Sequence, residues 1–341
     1  MKKANRFPMR TLRPLVAALL SAATVVLTGC GSGTDDSATR AEIQTLRIGV
    51  IGTGNVLTGT LGFAHQRGAL LPALQPLGVR NIEVFSFPNG PDLNQALVGG
   101  KLDVASYGDT PALIARGSGL QTRLLAINAV GLNAGVVVKD PSITSLKDLA
   151  GKKIGVPSGS YIDRYLQGAL REAGVQADLI HLLSADSEAP LNNGDIAATA
   201  LPDVNPSSFL QSFLAKGFRL IDSVRANHPG LGGTSSAVSS QAFLDTHPEF
   251  GPAWQAILTE ANAYARTHWD DYVNYEVGQS KAPEAVVRAT ATPSYIPESL
   301  FPEAGVQLLT GTKQFLVDQG KIRKDFDLAE WFYRADQPKQ S

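Results

Sequence analysis

The sequence predicts an α/β fold that is divided into two lobes. After residue 45, short apolar runs alternate with amphipathic stretches, a pattern typical of strands that pair mainly in parallel with helices between them. The alternation occurs in two sets, and a Pro/Gly-rich stretch at residues 228–233 follows the second set. A chain of 341 residues with 43% apolar composition can also build the core of two domains.

The first set begins with an apolar run at residues 46–51. Further strands are predicted at residues 81–87, 102–107, 122–127 and 135–138. Helices are predicted between them at residues 61–71, 91–98 and 111–116.

The second set begins with a short helix at residues 145–149 and a strand at residues 153–156. The clearest helix follows, because apolar residues recur at helical spacing from Ile162 to Ala173 and Gly174 is a suitable residue to end it. Further strands are predicted at residues 179–183, 196–201 and 219–221, and helical stripes at residues 254–265 and 306–319.

The predicted lobe 1 comprises residues 45–130 and 229–341, and lobe 2 comprises residues 131–228. Two chain crossings between the lobes would form a hinge with a cleft beneath it.

Residues 1–29 are predicted to be a signal peptide. Five basic residues and no acidic residue precede an apolar run at residues 14–27, which is shorter than the ~20 residues that cross a bilayer. The run ends in Leu27-Thr28-Gly29-Cys30, which resembles a bacterial lipobox, so Cys30 is the predicted site of lipidation. Residues 30–44 then form a flexible tether. The alternative is an ordinary signal peptide followed by an incidental cysteine.

Charge and cysteine content exclude several classes of function. Removing the five basic residues of the leader from a chain of net charge -1 leaves the mature protein near -6, without a basic block, so nucleic acid is not an expected partner. Because Cys30 is the only cysteine, the mature chain has neither a disulfide nor a free thiol nucleophile. The five histidines lack metal-ligand spacing, and the dinucleotide-binding glycine motif is incomplete at Gly52-Thr53-Gly54. We expect no metal and no cofactor.

Four strand-to-helix junctions carry small, hydroxyl or amide residues, at residues 52–55, 88–91, 108–111 and 157–160. At such junctions the unpaired N–H groups of the first helical turn bind anions without a formal positive charge. Thr110 and Ser160 can add hydroxyl donors. The alternative is that these residues only cap helices, because Ser160 with Asp163 resembles a capping box and Pro111 suits the first helical position.

Two segments together resemble the substrate-binding proteins of sulfonate, taurine and nitrate ABC importers, the family that includes THI5-like proteins. The first runs from Phe87-Pro88-Asn89-Gly90-Pro91 through Gly100-Lys101-Leu102-Asp103-Val104 to Gly108-Asp109-Thr110-Pro111-Ala112. The second is Ser145-Leu146-Lys147-Asp148-Leu149-Ala150-Gly151-Lys152-Lys153-Ile154, followed by Pro157-Ser158-Gly159-Ser160. The resemblance covers about residues 46–245. It implies a type II periplasmic-binding fold that closes on an anionic solute.

The resemblance also implies a set of ligand-binding residues. They are Thr53, Asn55, Asn89, Gly108, Asp109, Thr110, Ser158, Gly159, Ser160, Tyr161 and Asp203. Two segments depart from the family pattern, because Val50-Ile51-Gly52 replaces a Tyr-Gln-Lys-like segment and Pro202-Asp203-Val204 replaces Trp-Asp-Pro. Asp203 is therefore expected either to pair with the amine of a taurine-like ligand or to be a turn residue.

The leading hypothesis is a monomeric, lipid-anchored receptor in the periplasm or at the cell surface that gives an aliphatic sulfonate to an ABC permease and its ATPase. Three alternatives remain: a binding protein for nitrate or another oxyanion, an enzyme on the same scaffold, and an adhesion or scaffold lipoprotein. The enzymes that the resemblance suggests are desulfinases and thiamin-pyrimidine synthases. They use a reactive cysteine or a cysteine/histidine cluster, which this chain lacks.

Overall fold

Strands and helices alternate along the chain, as the sequence predicts. The computed structural model describes residues 42–204, 208–280 and 283–334. The strands are β1 (Thr45–Ile51), β2 (Asn81–Phe87), β3 (Val104–Gly108), β4 (Thr122–Val138), β5 (Lys153–Val156), β6 (Asp178–His181), β7 (Ala198–Asp203), β8 (Arg219–Ser223) and β9 (Gly233–Ser240). The helices are α1 (Gly59–Gln66), α2 (Leu70–Leu74), α3 (Gly90–Val98), α4 (Asp109–Gly117), α5 (Tyr161–Glu172), α6 (Glu188–Asn193), α7 (Phe209–Ala215), α8 (Val224–Asn227), α9 (Gln241–Thr246), α10 (Phe250–Thr267), α11 (Trp269–Gln279), α12 (Glu284–Thr290), α13 (Glu303–Asp318) and α14 (Leu328–Trp331).

The strands form one mixed sheet in the order β2-β1-β3-β9-β4-β7-β5-β6, and β8 also pairs with β4. The first half-sheet consists of β1, β2, β3, β9 and residues 122–132 of β4. The second half-sheet consists of β5, β6, β7, β8 and residues 133–138 of β4. The division at residues 45–130, 131–228 and 229–341 remains a prediction, and it is compatible with this arrangement.

The prediction of mainly parallel pairing is wrong. β1 is parallel to β2 and β3, and β5 is parallel to β6 and β7, but β4 is antiparallel to β7, β8 and β9, and β9 is antiparallel to β3. The strands predicted at residues 122–127 and 135–138 are one strand, β4. The polar and glycine residues between them suggest a turn, but pairing with β9 through three register shifts keeps this backbone extended.

The strand β9 was not predicted from the sequence. Its residues, Gly233-Thr-Ser-Ser-Ala-Val-Ser-Ser, have neither an apolar run nor alternation. It nevertheless lies in the middle of the sheet, where Ser239 donates its hydroxyl to the carbonyl oxygen of Asp103 at 2.7 Å. The pairing of β9 with β3 and β4 therefore outweighs the weak strand propensity of its residues.

The predicted helix at residues 61–71 is two helices, α1 and α2. Gly68 interrupts them with a φ of 74°, a left-handed conformation that glycine adopts without steric cost. By contrast, α5 agrees with its prediction, and Ile162, Tyr165 and Leu166 are buried in one core cluster with Val156 of β5.

Two chain segments join the half-sheets, one within β4 and one before β9. Gly131 in the first has a φ of 72°. A Cβ atom on Gly232 in the second would lie 3.4 Å from the Cα atom of Gly131, so the two segments run side by side. Close approach of the backbones favours glycine at this crossing.

Candidate functional site

The loops that follow β1 and β2 lie at the same edge of the first half-sheet, because these parallel strands end together. Thr53 and Asn55 are exposed in the first loop. Asn55 has a φ of 53°, and its side chain and backbone bond to β2. The N–H of Asn55 donates to Oγ of Ser86 at 2.8 Å, and the N–H of Ser86 donates to Oδ1 of Asn55 at 2.9 Å. These two bonds hold the loop at the carboxyl edge.

Asn89 caps the start of α3. Its Oδ1 accepts a hydrogen bond from the N–H of Asp92 at 3.0 Å, and its Nδ2 donates to Oδ2 of Asp92 at 2.9 Å. A Cβ atom on Gly90 would clash with the ring of Pro111, so α3 and α4 begin in contact. Asn89 therefore caps α3, as the capping alternative predicts. The predicted junctions at residues 52–55, 88–91 and 108–111 all lie at one edge of the first half-sheet.

The start of α4 has no side-chain cap, because its N-cap residue is Gly108. Asp109 is fully buried, and its carboxylate accepts hydrogen bonds from Thr110, Thr234 and Thr312. The donors are Thr110 Oγ1 at 3.0 Å, Thr234 N at 2.9 Å, Thr234 Oγ1 at 3.2 Å and Thr312 Oγ1 at 3.2 Å. The side chain of Asp109 therefore joins α4 to β9 and α13, and the hydroxyl of Thr110 is used within α4. The first-turn N–H groups of α4 have no intrahelical acceptor.

The start of α5 is capped by Ser160. Its Oγ accepts from the N–H of Asp163 at 3.2 Å and donates to the carbonyl oxygen of Pro157 at 2.6 Å. Gly159 has a φ of 75°, and its N–H donates to Oδ2 of Asp163 at 2.9 Å. The N–H of Ser158 donates to Nδ1 of His181 at 3.2 Å, and the side chain of Ser158 is exposed.

The starts of α4 and α5 meet at the ring of Tyr161. A Cβ atom on Gly108 would lie 3.9 Å from Cδ1 of Tyr161, and one on Gly233 would lie 2.6 Å from Cδ2 and Cγ. The hydroxyl of Tyr161 donates to the carbonyl oxygen of Asn133 in β4 at 3.1 Å. Burial raises the pKa of this hydroxyl well above its usual value, so it is a neutral donor at physiological pH. The structure thus brings together two junctions, one from each half-sheet.

Asp203 ends β7 and is only 6% exposed. Its Oδ2 accepts from Nδ2 of Asn133 at 2.8 Å, and its Oδ1 accepts from Ser208 Oγ at 2.7 Å and Gln211 Nε2 at 3.1 Å. These three hydrogen bonds occupy most of the acceptor sites of the carboxylate, so little capacity is left to bind the amine of a ligand. The geometry favours the second expectation for Asp203, in which it orders its own turn.

Several polar residues near this edge were not predicted as site residues. Asn133 connects Tyr161 and Asp203, and its Oδ1 also accepts from the N–H of Arg225 at 2.9 Å. On one face of the first half-sheet, Ser106, Asn128 and Ser235 are half-buried. The sequence did contain a signal for two of these residues. Asn128 and Asn133 lie in an otherwise apolar stretch, and a buried amide in a strand needs a specific hydrogen-bond partner.

Two cavities lie elsewhere on the described part of the molecule. One, of about 590 Å³, is lined by Arg47, Phe85, Phe87, Asp92, Gln95, Ala96, Lys101 and Leu102. The other, of about 580 Å³, is lined by Thr310, Lys313, Gln314, Asp325, Phe326, Asp327 and Leu328. Neither contains a residue of the predicted ligand set.

Within residues 42–204, 208–280 and 283–334, no cluster of three His, Cys, Asp or Glu side chains could hold a metal ion. Across the same ranges, no helix combines the length and the apolar character needed to cross a membrane. The predicted lipidation site, Cys30, lies outside the described residues.

Known proteins resemble the chain over most of its length. A binding protein of Brucella abortus is 27% identical over 282 residues, which cover 72% of this chain and 80% of that protein. The taurine-binding periplasmic protein of Escherichia coli is 25% identical over 260 residues, covering 69% and 77% of the two chains.

Solved structures show that the fold is of the periplasmic-binding-protein type. The alkanesulfonate-binding protein of Xanthomonas axonopodis, bound to MOPS, superposes with a TM-score of 0.67 at 22% identity, over 86% of this chain and 99% of that one. A desulfurization enzyme shares the fold with a TM-score of 0.64 at 18% identity, over 85% and 96%. The sequence profile of the family described as NMT1/THI5 like matches residues 81–268, more than half of the chain. The chain belongs to the NMT1/THI5-like family.

Proposed function

We propose that this protein is the extracytoplasmic solute-binding component of an ABC importer. Its ligand is an aliphatic sulfonate, either taurine-like or a plain alkanesulfonate. The ligand lies between the two lobes, and the protein delivers it to a membrane permease that is driven by an ATPase.

The observation that carries this proposal is the meeting of α4 and α5 at Tyr161. α4 begins at an uncapped glycine and Pro111 has no N–H, so the N–H groups of Asp109 and Thr110, which have no intrahelical acceptor, are the ones that bind the anion in this proposal. In α5 the Ser160 side chain caps only the N–H of Asp163, which leaves the N–H groups of Tyr161 and Ile162 without intrahelical acceptors. Two helix N-termini that begin beside the same ring give a favourable potential for a sulfonate there.

The predicted site residues divide into two groups in this proposal. The backbone of Gly108 and Ser160 and the exposed side chains of Thr53 and Ser158 face the ligand. The second group holds these residues in place: Asn55, Asn89, Asp109, Thr110, Gly159, Tyr161 and Asp203. Their side chains or N–H groups are already bonded within the protein.

The names of the relatives support a small anionic solute, because one binds taurine and a structural neighbour binds alkanesulfonates. The predicted leader and Cys30 support an extracytoplasmic protein on a lipid anchor, in the periplasm or at the cell surface. The proposed partners are therefore the permease, its ATPase and the membrane that carries the anchor.

The test is a thermal-shift series on the purified protein with taurine, alkanesulfonates, aromatic sulfonates, nitrate and sulfate. At 100 times its Kd a ligand stabilises the folded state by about 2.7 kcal/mol, which raises the Tm of a chain of this size by several degrees. If no compound raises the Tm by even a degree or two, sulfonate binding is excluded. A rise with nitrate or sulfate alone supports the oxyanion alternative.

The enzyme alternative has one supporting observation, the shared fold of the desulfurization enzyme. The relatives named as binding proteins favour a non-enzymatic role. The proposal that Cys30 carries lipid also removes the only thiol of the chain from catalysis.

A further inference from the structure

One face of the first half-sheet changes character along β3, β9 and β4. At the start of β3, Val104 is buried beneath helices on this face, and so are Ala126 and Ala237, which lie level with Ser106 in the pairing. Towards the end of β3, Ser106 and Asn128 on the same face are half-buried. The helices therefore leave the sheet uncovered beside the start of α4, which is where the proposed ligand site begins.

The uncovered patch is polar. Nδ2 of Asn128 donates to Oγ of Ser106 at 3.1 Å, across β9, where small residues lie between them. Ser235 lies opposite Gly108 in the pairing of β3 and β9, so it borders the same patch. We name Ser106, Asn128 and Ser235 the floor patch.

The carbonyl oxygen of the Asn128 amide is the informative atom of the floor patch. Oδ1 is buried and has no hydrogen-bond partner among the residues that the structure describes. A buried acceptor without a donor lowers the stability of the folded protein, because the group has lost its hydrogen bonds to water without replacing them. An unpaired buried acceptor needs an explanation, and a ligand that brings a donor would supply the missing partner.

We propose that the floor patch binds the tail of the sulfonate and selects tails that carry a hydrogen-bond donor. The sulfonate lies at the starts of α4 and α5, and Oδ1 of Asn128 accepts from an ammonium or hydroxyl group on its tail once the half-buried side chain turns and gives up its bond to Ser106. An alkyl tail would leave this acceptor unpaired and would cover the hydroxyls of Ser106 and Ser235. The inference rests on the proposed function and defines its substrate class as short amino- or hydroxysulfonates.

Calorimetric titration of three matched ligands tests the inference. Taurine carries an ammonium group, isethionate carries a hydroxyl, and propane-1-sulfonate is similar in size but has no donor on its tail. The wild-type protein should bind taurine more tightly than propane-1-sulfonate by about tenfold or more, as one charge-assisted hydrogen bond provides. Tighter binding of propane-1-sulfonate would overturn the inference.

The variant Asn128→Leu keeps the approximate size of the side chain and removes the acceptor. It should lower the preference for taurine about tenfold and change the Kd for propane-1-sulfonate little. Asn81→Leu is the matched control, because Asn81 is exposed on the edge strand β2 and should leave all three affinities unchanged. An unchanged ratio in Asn128→Leu, or an equal loss for all three ligands, contradicts the inference.

A second variant, Asn128→Asp, keeps the shape of the side chain. It should raise the preference for taurine, whereas Asn128→Leu should lower it. It should strengthen the binding of taurine relative to isethionate, because a carboxylate pairs better with an ammonium than with a hydroxyl. A ratio that does not rise contradicts the inference even if Asn128→Leu fails to fold. If the wild-type protein binds no sulfonate, the proposed function itself fails. If it binds sulfonates and neither ratio moves, only the floor patch is wrong.

Discussion

The ring of Tyr161 lies so close to Gly233 that a Cβ atom on this glycine would be 2.6 Å from two ring carbons. Gly233→Ala should therefore displace the ring and the start of α5, and lower the free energy of unfolding by about 1–3 kcal/mol. Urea unfolding measures this loss. Gly230→Ala is the control, because a Cβ atom there meets nothing within 4 Å, and its stability should stay close to wild type. Equal effects of the two substitutions would contradict the packing argument.

Ser160 is predicted to act both as a cap and as part of the ligand site. Ser160→Ala should lose about 1 kcal/mol of stability, because the N–H of Asp163 loses its acceptor. The same loss is expected for Ser240→Ala, since Ser240 caps α9 at the N–H of Phe243 at 3.2 Å. Only Ser160→Ala should also weaken sulfonate binding in titrations, because this cap holds in place the backbone N–H groups that face the ligand in the proposal. An unchanged affinity would leave Ser160 with the capping role alone.

Arg164 holds in place the segment before β9, which is the second of the two segments that join the half-sheets. It is 2% exposed, and its guanidinium donates to three carbonyl oxygens at 3.1 Å, those of Gly230, Leu231 and Gly232. Arg164→Met should cost about 3 kcal/mol, because it leaves these carbonyls without their donor. Hydrogen exchange should also rise at residues 230–233. Arg171→Met, at an exposed position of the same helix, should change neither quantity by much, and similar effects of both variants would argue against a specific clamp.

Glu276 makes stability depend on pH. It is 4% exposed within α11, and burial raises its pKa to about 7, although a hydrogen bond from Tyr272 acts in the opposite direction. The folded protein therefore holds a proton that the unfolded chain releases near its ordinary pKa of 4.5. This contribution is fully present below about pH 4.5 and is lost as pH rises through about 7.

The variant Glu276→Gln mimics the protonated carboxyl at every pH. Its stability should match wild type near pH 4.5 and exceed it by up to about 3 kcal/mol at pH 8, as urea unfolding at both pH values will show. Glu298→Gln alters an exposed acid and is the control. A constant difference between Glu276→Gln and wild type across this range would be inconsistent with a buried, protonated Glu276.

The predicted anchor gives a simple fractionation experiment. Cys30→Ser should move the protein from the membrane fraction to the soluble extracytoplasmic fraction, and it should abolish labelling with radioactive palmitate. Ligand binding should be unaffected, because residue 30 lies in the predicted tether. A wild-type protein that is already soluble and unlabelled would favour the ordinary signal peptide.

Local patterns in the sequence were sufficient for some elements and insufficient for others. The helix α5 was predicted closely because its buried residues recur at helical spacing, and β1 and β2 because apolar residues recur along each short segment. β9 was missed because its serines and glycine are accommodated only by the strands on either side. The continuity of β4 was missed for the same reason, since its middle residues are held extended by the pairing with β9.

The sequence by itself determined the alternation of strands and helices, three of the four junctions and the family, because helix periodicity, turn residues and short motifs are local properties of the chain. The prediction of a helix start at residues 52–55 is wrong, because α1 begins only at Gly59, after a longer loop. Only the tertiary structure decided which junctions meet. It brought Gly108, at the start of α4, next to Tyr161, at the start of α5, although the two residues are far apart in the sequence. It also decided that internal hydrogen bonds use most of the acceptor capacity of Asp109 and Asp203, while Oδ1 of Asn128 has no partner among the described residues. The physical reason is that the satisfaction of a buried polar group depends on donors and acceptors from distant parts of the chain, which local sequence patterns do not specify.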